Sequence, residues 1–579
     1  MIKMMQDLIT YNMGLCARWF LYLDALRQRG NMYYEHEAEG LPPVFADEFE
    51  YEVVLDGRTF EKPVNYALLR MKDRRQGDRR EDGDARLTSK ENRKEERRLR
   101  GLVEKEGVVL IIDPRAGHGP GIGGFKALSQ LGLAFEYGYE VYCVRFFPKP
   151  EPNQTIYNVL SAEILFLEEI ARRHPGEKTF LIGNCQGGWA AMLVAAVVPN
   201  FVRVVALHGS PISFWAGQAN SQVMRIRGAV LGGKYLSSLL SDLGNDDFDG
   251  ALLVSGFEDL NLANSMWSKD HKLFADPSLE NVERFLGFEK WWNGFSRISG
   301  AEIAFIVEKL FLGNELEQGT LRMEDGRVID LHNLHDMVVQ VFTSDGDNIT
   351  PPPQALGWIR VFTDEEIVSR NLKIIYCLSR KKIGHLAIFV SSDANNKQHR
   401  EFIGLTEAFE SLPPGLYELD VSDDAVKSGG VYHEDNPEKM LYSLKIHKRS
   451  VRDIEILCGE TDVATFSKVS EVSQELDTMY KTFVRPWIKP FVTERSAEHM
   501  RQGHPLRSRH NLLSDRNPFM LPVAHMAPWI RSWYVKDEDT NLFIGIENVV
   551  SNTIVKGLEN CQLMRDMWYA SVFEMMYFK

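Results

Sequence analysis

The chain has 579 residues, which at roughly 100–200 residues per domain points to two to four structural units and excludes a single small module. With 44% hydrophobic, 26% charged and 11% aromatic residues the composition is globular and excludes extensive disorder, collagen and disulfide-rich scaffolds. A formal net charge of -14 argues against a phosphate backbone as the main partner, so no nucleic acid is expected.

In chain order, residues 4–29 place Leu8, Tyr11, Leu15, Trp19, Tyr22 and Leu26 at three-or-four spacing, which predicts an amphipathic helix ended by Gly30. Asp7, Asn12 and Arg18 interrupt what a signal peptide would need as an apolar core, and no stretch reaches the eighteen or so apolar residues of a spanning helix. Residues 49–71 read as a hairpin around Asp56-Gly57. From 72 to 100 the chain carries twelve Lys or Arg and eight Asp or Glu, the signature of a solvated charged loop. From 107 short apolar runs alternate with helical stretches: GVVLIID, YEVYCVRF, KTFLIGN, then WAAMLVAAVV and VRVVALH. That rhythm predicts a parallel sheet covered by helices on both faces.

Residues 213–335 break the rhythm and read as a helical insertion, and MVVQVFTS and NLKIIYCLS then resume it. The expected organisation is therefore an N-terminal helix and hairpin (1–71), a charged loop (72–100), an α/β core in two parts (101–212 and 336–400) split by a cap (213–335), a mixed segment (401–466) and a helical C-terminal extension (467–579). Trp215, Trp267, Trp291 and Trp292 make the cap look like a mobile lid with exposed aromatics over an apolar channel. Six cysteines without a C-x-x-C pair fit a reducing compartment and offer no metal site, so a cytoplasmic protein without a metal is expected.

Gly183-Asn184-Cys185-Gln186-Gly187-Gly188 lies between a strand and a small-residue helix, the context of a nucleophile elbow, where flanking glycines relieve collisions around a strained turn. Downstream, the strand ending at Phe342 delivers Asp345 and Asp347, and the strand through Ile375 is followed by Gly384-His385. The order Cys185, Asp347, His385 matches hydrolase triads built on such sheets, with Asp345 as the rival acid. Oxyanion donors are expected from the N–H of Gln186 and from the loop 113–119, at Ala116. His118, Trp189 and Trp215 are candidates for the substrate pocket, and His208 lies near a strand end. The glycine run from Gly117 to Gly124 is a weak dinucleotide signal without an acidic ribose ligand after a following strand, so no bound cofactor is expected.

The elbow GNCQGG resembles the Gly-x-Cys-x-Gly-Gly box of bacterial polyhydroxyalkanoate synthases. In the same order, WWNGFSRISGAEIAFIVEKLFLGNEL, Asp347-Asn348-Ile349 and Gly384-His385 resemble that family's cap segment, Asp-His-Ile motif and Gly-His motif. The likeness covers about 107–395, and the two ends look like an uncharacterised bacterial branch described as hydroxyalkanoate-synthetase-like. Asn348 stands where the synthases usually have histidine, Trp189 where a smaller residue is usual, and LAIFVSSD lacks their Asn-Pro-Pro ending.

The resemblance implies an α/β-hydrolase fold and an acyltransferase that loads a 3-hydroxyacyl group from coenzyme A onto Cys185 and makes polyester, coenzyme A entering only as part of the substrate. The alternatives are a thioesterase, ester hydrolase or thiolytic depolymerase on the same triad, and a granule-associated binding protein with a retained hydrolase core. The apolar faces of the first and last helices are expected to pack on the core or each other, to form a homodimer interface, or to dock on a polyester granule.

Overall fold

A computed structural model describes residues 2–76, 107–422, 442–536 and 541–578; the charged loop expected over 72–100 lies outside them from residue 77 onward. In chain order the strands are β1 (Phe49–Asp56), β2 (Tyr66–Asp73), β3 (Val108–Ile112), β4 (Glu140–Phe146), β5 (Thr179–Asn184), β6 (Val202–His208), β7 (Asp247–Asp249), β8 (Arg297–Ser299), β9 (Val338–Ser344), β10 (Lys373–Ser379), β11 (Gly415–Ser422) and β12 (Ser443–Arg449). Ten of them form one sheet in the order β1-β2-β4-β3-β5-β6-β9-β10-β11-β12, and β7 pairs with β8 apart from it. The strands from β4 to β11 in that order are parallel. β2 is antiparallel to β4, β1 to β2 and β12 to β11. This order, with an antiparallel strand entering a parallel series, is the α/β-hydrolase fold.

The apolar runs form strands because they are covered on both sides. In β3 every residue from Val108 to Ile112 is at most 2% exposed; Val108, Leu110 and Ile112 join one core and Val109 and Ile111 the other. Burying such a side chain fully is worth about 1.5–3 kcal/mol.

Three expectations about organisation need correcting. The hairpin at 49–71 forms, but β2 also pairs with β4 from Tyr66–Phe146 to Arg70–Tyr142, so it belongs to the central sheet and not to a separate N-terminal unit; Leu68 and Leu69 are fully buried and need cover on both faces. β11 and β12, from the segment read as mixed, extend the same sheet at the other end. The first helix runs from Ile2 to Ala38, straight through Gly30. A Cβ at Gly30 would lie 2.1 Å from the Leu513 carbonyl oxygen, so this glycine serves close approach of the C-terminal segment and is no helix stop.

The insertion lies between β6 and β9 and contains the β7–β8 ribbon and helices including Leu279–Trp292. Its tryptophans are not an exposed lining. Trp291 and Trp292 are buried, and Trp267 Nε1 donates to Ser551 Oγ at 2.9 Å in the last helix, Leu542–Tyr577. The cover comes from outside the insertion, from His118 and Phe125 against Trp291 and from the last helix against Trp267, which a reading of the insertion by itself omits. The helix Leu521–Trp533 packs through Ala527 and Ile530 on Ala17 and Leu21 of the first helix, and Arg18 forms a two-pronged ion pair with Glu547 at 2.8 Å. No described helix is long and apolar enough to cross a membrane.

Candidate active site

Cys185 sits between β5 and the helix Gln186–Val197 with φ +49 and ψ -119, a backbone conformation that costs about 1–3 kcal/mol and persists only where packing enforces it. The surroundings do so. Its N–H donates to the His208 carbonyl at 2.9 Å. The turn also presses so closely on its neighbours that a Cβ at Gly187 would lie 2.1 Å from the Ile112 carbonyl oxygen, and one at Gly188 1.9 Å from Ser210 Oγ. The glycine pattern is thus the steric condition for placing a sulfur at the end of β5.

The loops after β9 and β10 converge on that sulfur. Ser344 Oγ accepts from the N–H groups of Gly346 and Ile383 at 3.1 Å and so ties the two loops together. Asp347 Oδ1 accepts from the N–H groups of Ile349 at 2.9 Å and Thr350 at 2.8 Å, which leaves Oδ2 to accept from His385 Nδ1 at 2.8 Å. The Cys185 sulfur acts on the same ring, and with Nδ1 engaged, Nε2 is the atom available to it. Burial alone would lower the His385 pKa, but the Asp347 carboxylate and the Cys185 sulfur outweigh it and push it up to about 10. Cys185, Asp347 and His385 are therefore brought together, all buried. Asp345 is not part of the group: it is exposed and faces Arg380 at 3.4 Å.

Gln186 opens the helix, so its N–H has no preceding turn to accept it. Ala116 is buried in the loop after β3. That loop is anchored by Asp113, whose carboxylate accepts from the N–H of Gly121 at 3.0 Å, that of Gly123 at 3.2 Å and Asn184 Nδ2 at 3.2 Å. Asn184 exchanges two hydrogen bonds with Gln130, which also meets His208 Nδ1 at 2.7 Å. This buried network joins the loop to the residue just before Cys185. The elbow hexapeptide contained Asn184, but nothing in the sequence paired it with Asp113 or Gln130.

His118 lies near the triad: burial, with a smaller push from His385, takes its pKa down to about 4. Its ring lies 4.2 Å from that of Trp291, centroid to centroid. Trp189 is buried in the elbow helix and lines a small cavity with Gln186 and Glu163. Trp215 does not join the site. It stacks on Phe466 at 5.6 Å and 12°, which fastens the C-terminal extension to the core. Among the described residues no group of three or more His, Cys, Asp or Glu side chains is arranged to hold a metal ion.

Residues 15–579 match the family model described as Protein of unknown function (DUF3141). An uncharacterized protein in the ackA 5' region of Rhizobium meliloti is 38% identical over 576 residues, covering 96% of this chain and 73% of that protein. A poly(3-hydroxyalkanoate) polymerase subunit PhaC of Haloferax mediterranei is 24% identical over 271 residues, 46% of this chain and 51% of its own length, so the chain spans about half of that subunit. Among solved structures, a monoacylglycerol lipase of Paleococcus ferrophilus aligns with a TM-score of 0.32 at 16% identity, over 54% of this chain and 96% of the lipase. With a family match over nearly its whole length and an α/β-hydrolase sheet at its centre, the chain belongs to the DUF3141 family.

Proposed function

We propose that this protein is an acyltransferase that carries its acyl group on Cys185. The observation that supports this most is the buried line from Asp347 through His385 to a cysteine held at positive φ. In this reading His385 Nε2 takes the Sγ proton and the sulfur attacks the carbonyl carbon of an acyl-CoA thioester. The carbonyl electrons move to oxygen, which the N–H groups of Gln186 and Ala116 receive. Collapse breaks the bond to coenzyme A, whose sulfur leaves with the proton from His385. An acceptor hydroxyl then gives its proton to His385 and attacks the acyl-enzyme, and Cys185 regains that proton as it departs. Asp347 keeps Nδ1–H turned away from the sulfur and stabilises the charged ring.

The likeness to a poly(3-hydroxyalkanoate) polymerase subunit favours a 3-hydroxyacyl group and a polyester product. A second reading keeps the triad and makes water or free coenzyme A the acceptor, as in a thioesterase, ester hydrolase or thiolytic depolymerase. The bulk of Trp189 beside Gln186 favours it by narrowing the space for a growing chain. Incubation with 3-hydroxybutyryl-CoA, followed by intact-protein mass and product analysis, tests both. A hydroxybutyryl adduct lost in Cys185→Ala is expected, with polyester or free acid naming the acceptor; no adduct, or an adduct that survives the substitution, refutes the acyl-enzyme.

A further inference from the structure

The loop after β3 is held from two sides. Its far limb belongs to the core, through the Asp113 carboxylate and the N–H groups of Gly121 and Gly123. Its tip, residues 115–119, is gripped by the insertion. The Ser296 N–H donates to the Gly117 carbonyl at 2.9 Å, and the Gly119 N–H donates to the Trp291 carbonyl at 3.2 Å. Gly117, at φ +95, lies so close to the insertion helix Gly250–Glu258 that a Cβ there would sit 2.3 Å from the Gly250 carbonyl oxygen.

The tip is also fastened by a buried ion pair. Arg115 Nη1 donates at 2.6 Å to Oε1 of Glu302, in the insertion helix Gly300–Phe305, and Nη2 donates at 2.6 Å to the Arg297 carbonyl of β8. Glu302 is itself fixed, since its Oε2 accepts the Ser299 N–H at 2.9 Å and its Oε1 accepts Gln154 Nε2 at 2.9 Å. The two side chains are 7% and 1% exposed. Burying such a pair is weak support for stability, because apolar residues of the same volume often do as well or better. What a guanidinium adds is a planar fork that meets two acceptors at once and so fixes direction. The backbone it anchors is the one that carries Ala116. Arg115 also lines a small cavity with Gln186 and Gly187 of the elbow, which puts the clamp beside the turn that holds Cys185. Among the described residues no hydrogen bond takes the Ala116 N–H.

We infer that Arg115 and Glu302 are positioning residues for the oxyanion hole: through this pair the insertion holds the Ala116 N–H where it meets the charge that develops on the substrate oxygen. The inference rests on the acyl-enzyme reading of Cys185. It makes the insertion a part of the chemistry although neither side chain touches the substrate. Losing one such donor costs about 10²–10³-fold in rate, and a displacement of about 1 Å can cost about 10²-fold.

The test measures, in the full-length protein, single-turnover acylation by 3-hydroxybutyryl-CoA, the melting temperature, and inhibition by a trifluoromethyl ketone analogue of that thioester. Addition of the Cys185 sulfur to the ketone carbon moves the carbonyl electrons to oxygen, which then occupies the same hole. Arg115→Lys keeps the charge and loses the fork. It is expected to slow acylation by about 10–100-fold and to weaken inhibition by a similar factor. Calorimetric affinity for 3-hydroxybutyryl-CoA, measured in Cys185→Ala with and without this change, should stay within about twofold, because the oxyanion exists only in the transition state. Glu302→Gln still offers Arg115 an acceptor and retains most of the rate. Arg115→Met with Glu302→Leu removes both charges together, so no unpaired ion is left buried and the fold is kept. Its acylation should nevertheless be as slow as that of Arg115→Lys, since nothing then ties the tip to the Arg297 carbonyl; a merely structural pair would instead let the rate return with the melting temperature. Should the double variant not fold, Arg115→Lys carries the test. Wild-type acylation and inhibition in Arg115→Lys or in a folded double variant, or a loss that falls wholly on thioester binding, overturns the inference. If the wild type is neither acylated nor inhibited by the ketone, the acyl-enzyme reading itself fails and the inference falls with it.

Discussion

In β3 no residue from Val108 to Ile112 is more than 2% exposed, whereas in the C-terminal segment Trp487 and Phe491 are each 77% exposed and Phe519 is 87% exposed. Both regions are rich in large apolar residues, and they spend them differently. The sheet is clamped from two sides, so the backbone at its carboxyl ends has one position, and Cys185, Asp347 and His385 inherit that precision. The terminal helices are fastened at a few points, among them Gly30 against Leu513, Arg18 with Glu547 and the cluster of Ala17, Leu21, Ala527 and Ile530. Defects in the first region should appear in the chemistry, and defects in the second in stability.

The largest effect expected is that of Cys185→Ala, which should lower turnover by about 10⁴-fold or more with the melting temperature nearly unchanged; near-normal turnover with a thioester substrate would remove Cys185 from the mechanism. Next is Asp347→Asn, which should cost about 10³–10⁴-fold by letting the imidazole adopt the wrong tautomer, while Asp345→Asn changes kcat less than about threefold. If the two variants exchange ranks, the acid has been misassigned. Gly30→Ala probes the other region. Its Cβ cannot coexist with the Leu513 carbonyl, so a loss of about 1–3 kcal/mol is expected, visible as a lower Tm, with kcat preserved below the transition.

The smallest effect joins the two regions, since it is a stability change caused by a group beside the site. The folded protein keeps the Glu163 proton until about pH 8, whereas the unfolded chain releases it near pH 4.5. The unfolded state therefore binds fewer protons between those values, and stability falls as pH rises through that window. Glu163→Gln should remove this slope, so its Tm should gain on the wild type from pH 5 to pH 7 by the equivalent of about 2 kcal/mol. Parallel Tm curves for the two proteins would show that Glu163 is solvated.

The sheet was legible because parallel strands buried on both faces read as unbroken apolar runs, and GVVLIID, KTFLIGN and VRVVALH needed no partner information to be recognised. The elbow was legible for a related reason: its glycines answer to local collisions. Choosing Asp347 over Asp345 was within reach too, because position beyond the strand end separates a residue facing the histidine from one facing Arg380. What sequence reading could not supply were relations between residues far apart. Gly30 looked like a helix end until Leu513 arrived against it. Trp215, Trp291 and Trp292 looked exposed until Phe466, His118 and their neighbours covered them. Glu163 drew no reading from the sequence, since nothing local reveals that Trp189 and Gln186 line the same cavity. The Asp113–Asn184–Gln130 network was hidden in the same way.

The close contact at Gly30 also bears on how the chain comes off the ribosome. The first helix emerges early, yet the helix Leu521–Trp533 that covers Ala17 and Leu21 follows about 480 residues later, roughly 25–100 s at translation rates of about 5–20 residues per second. For that interval the N-terminal helix has an apolar face without its cover while the α/β sheet behind it can already assemble. The first helix and the helix Leu521–Trp533 can therefore close on each other only after the strands of the sheet that lie between them in the chain have been made.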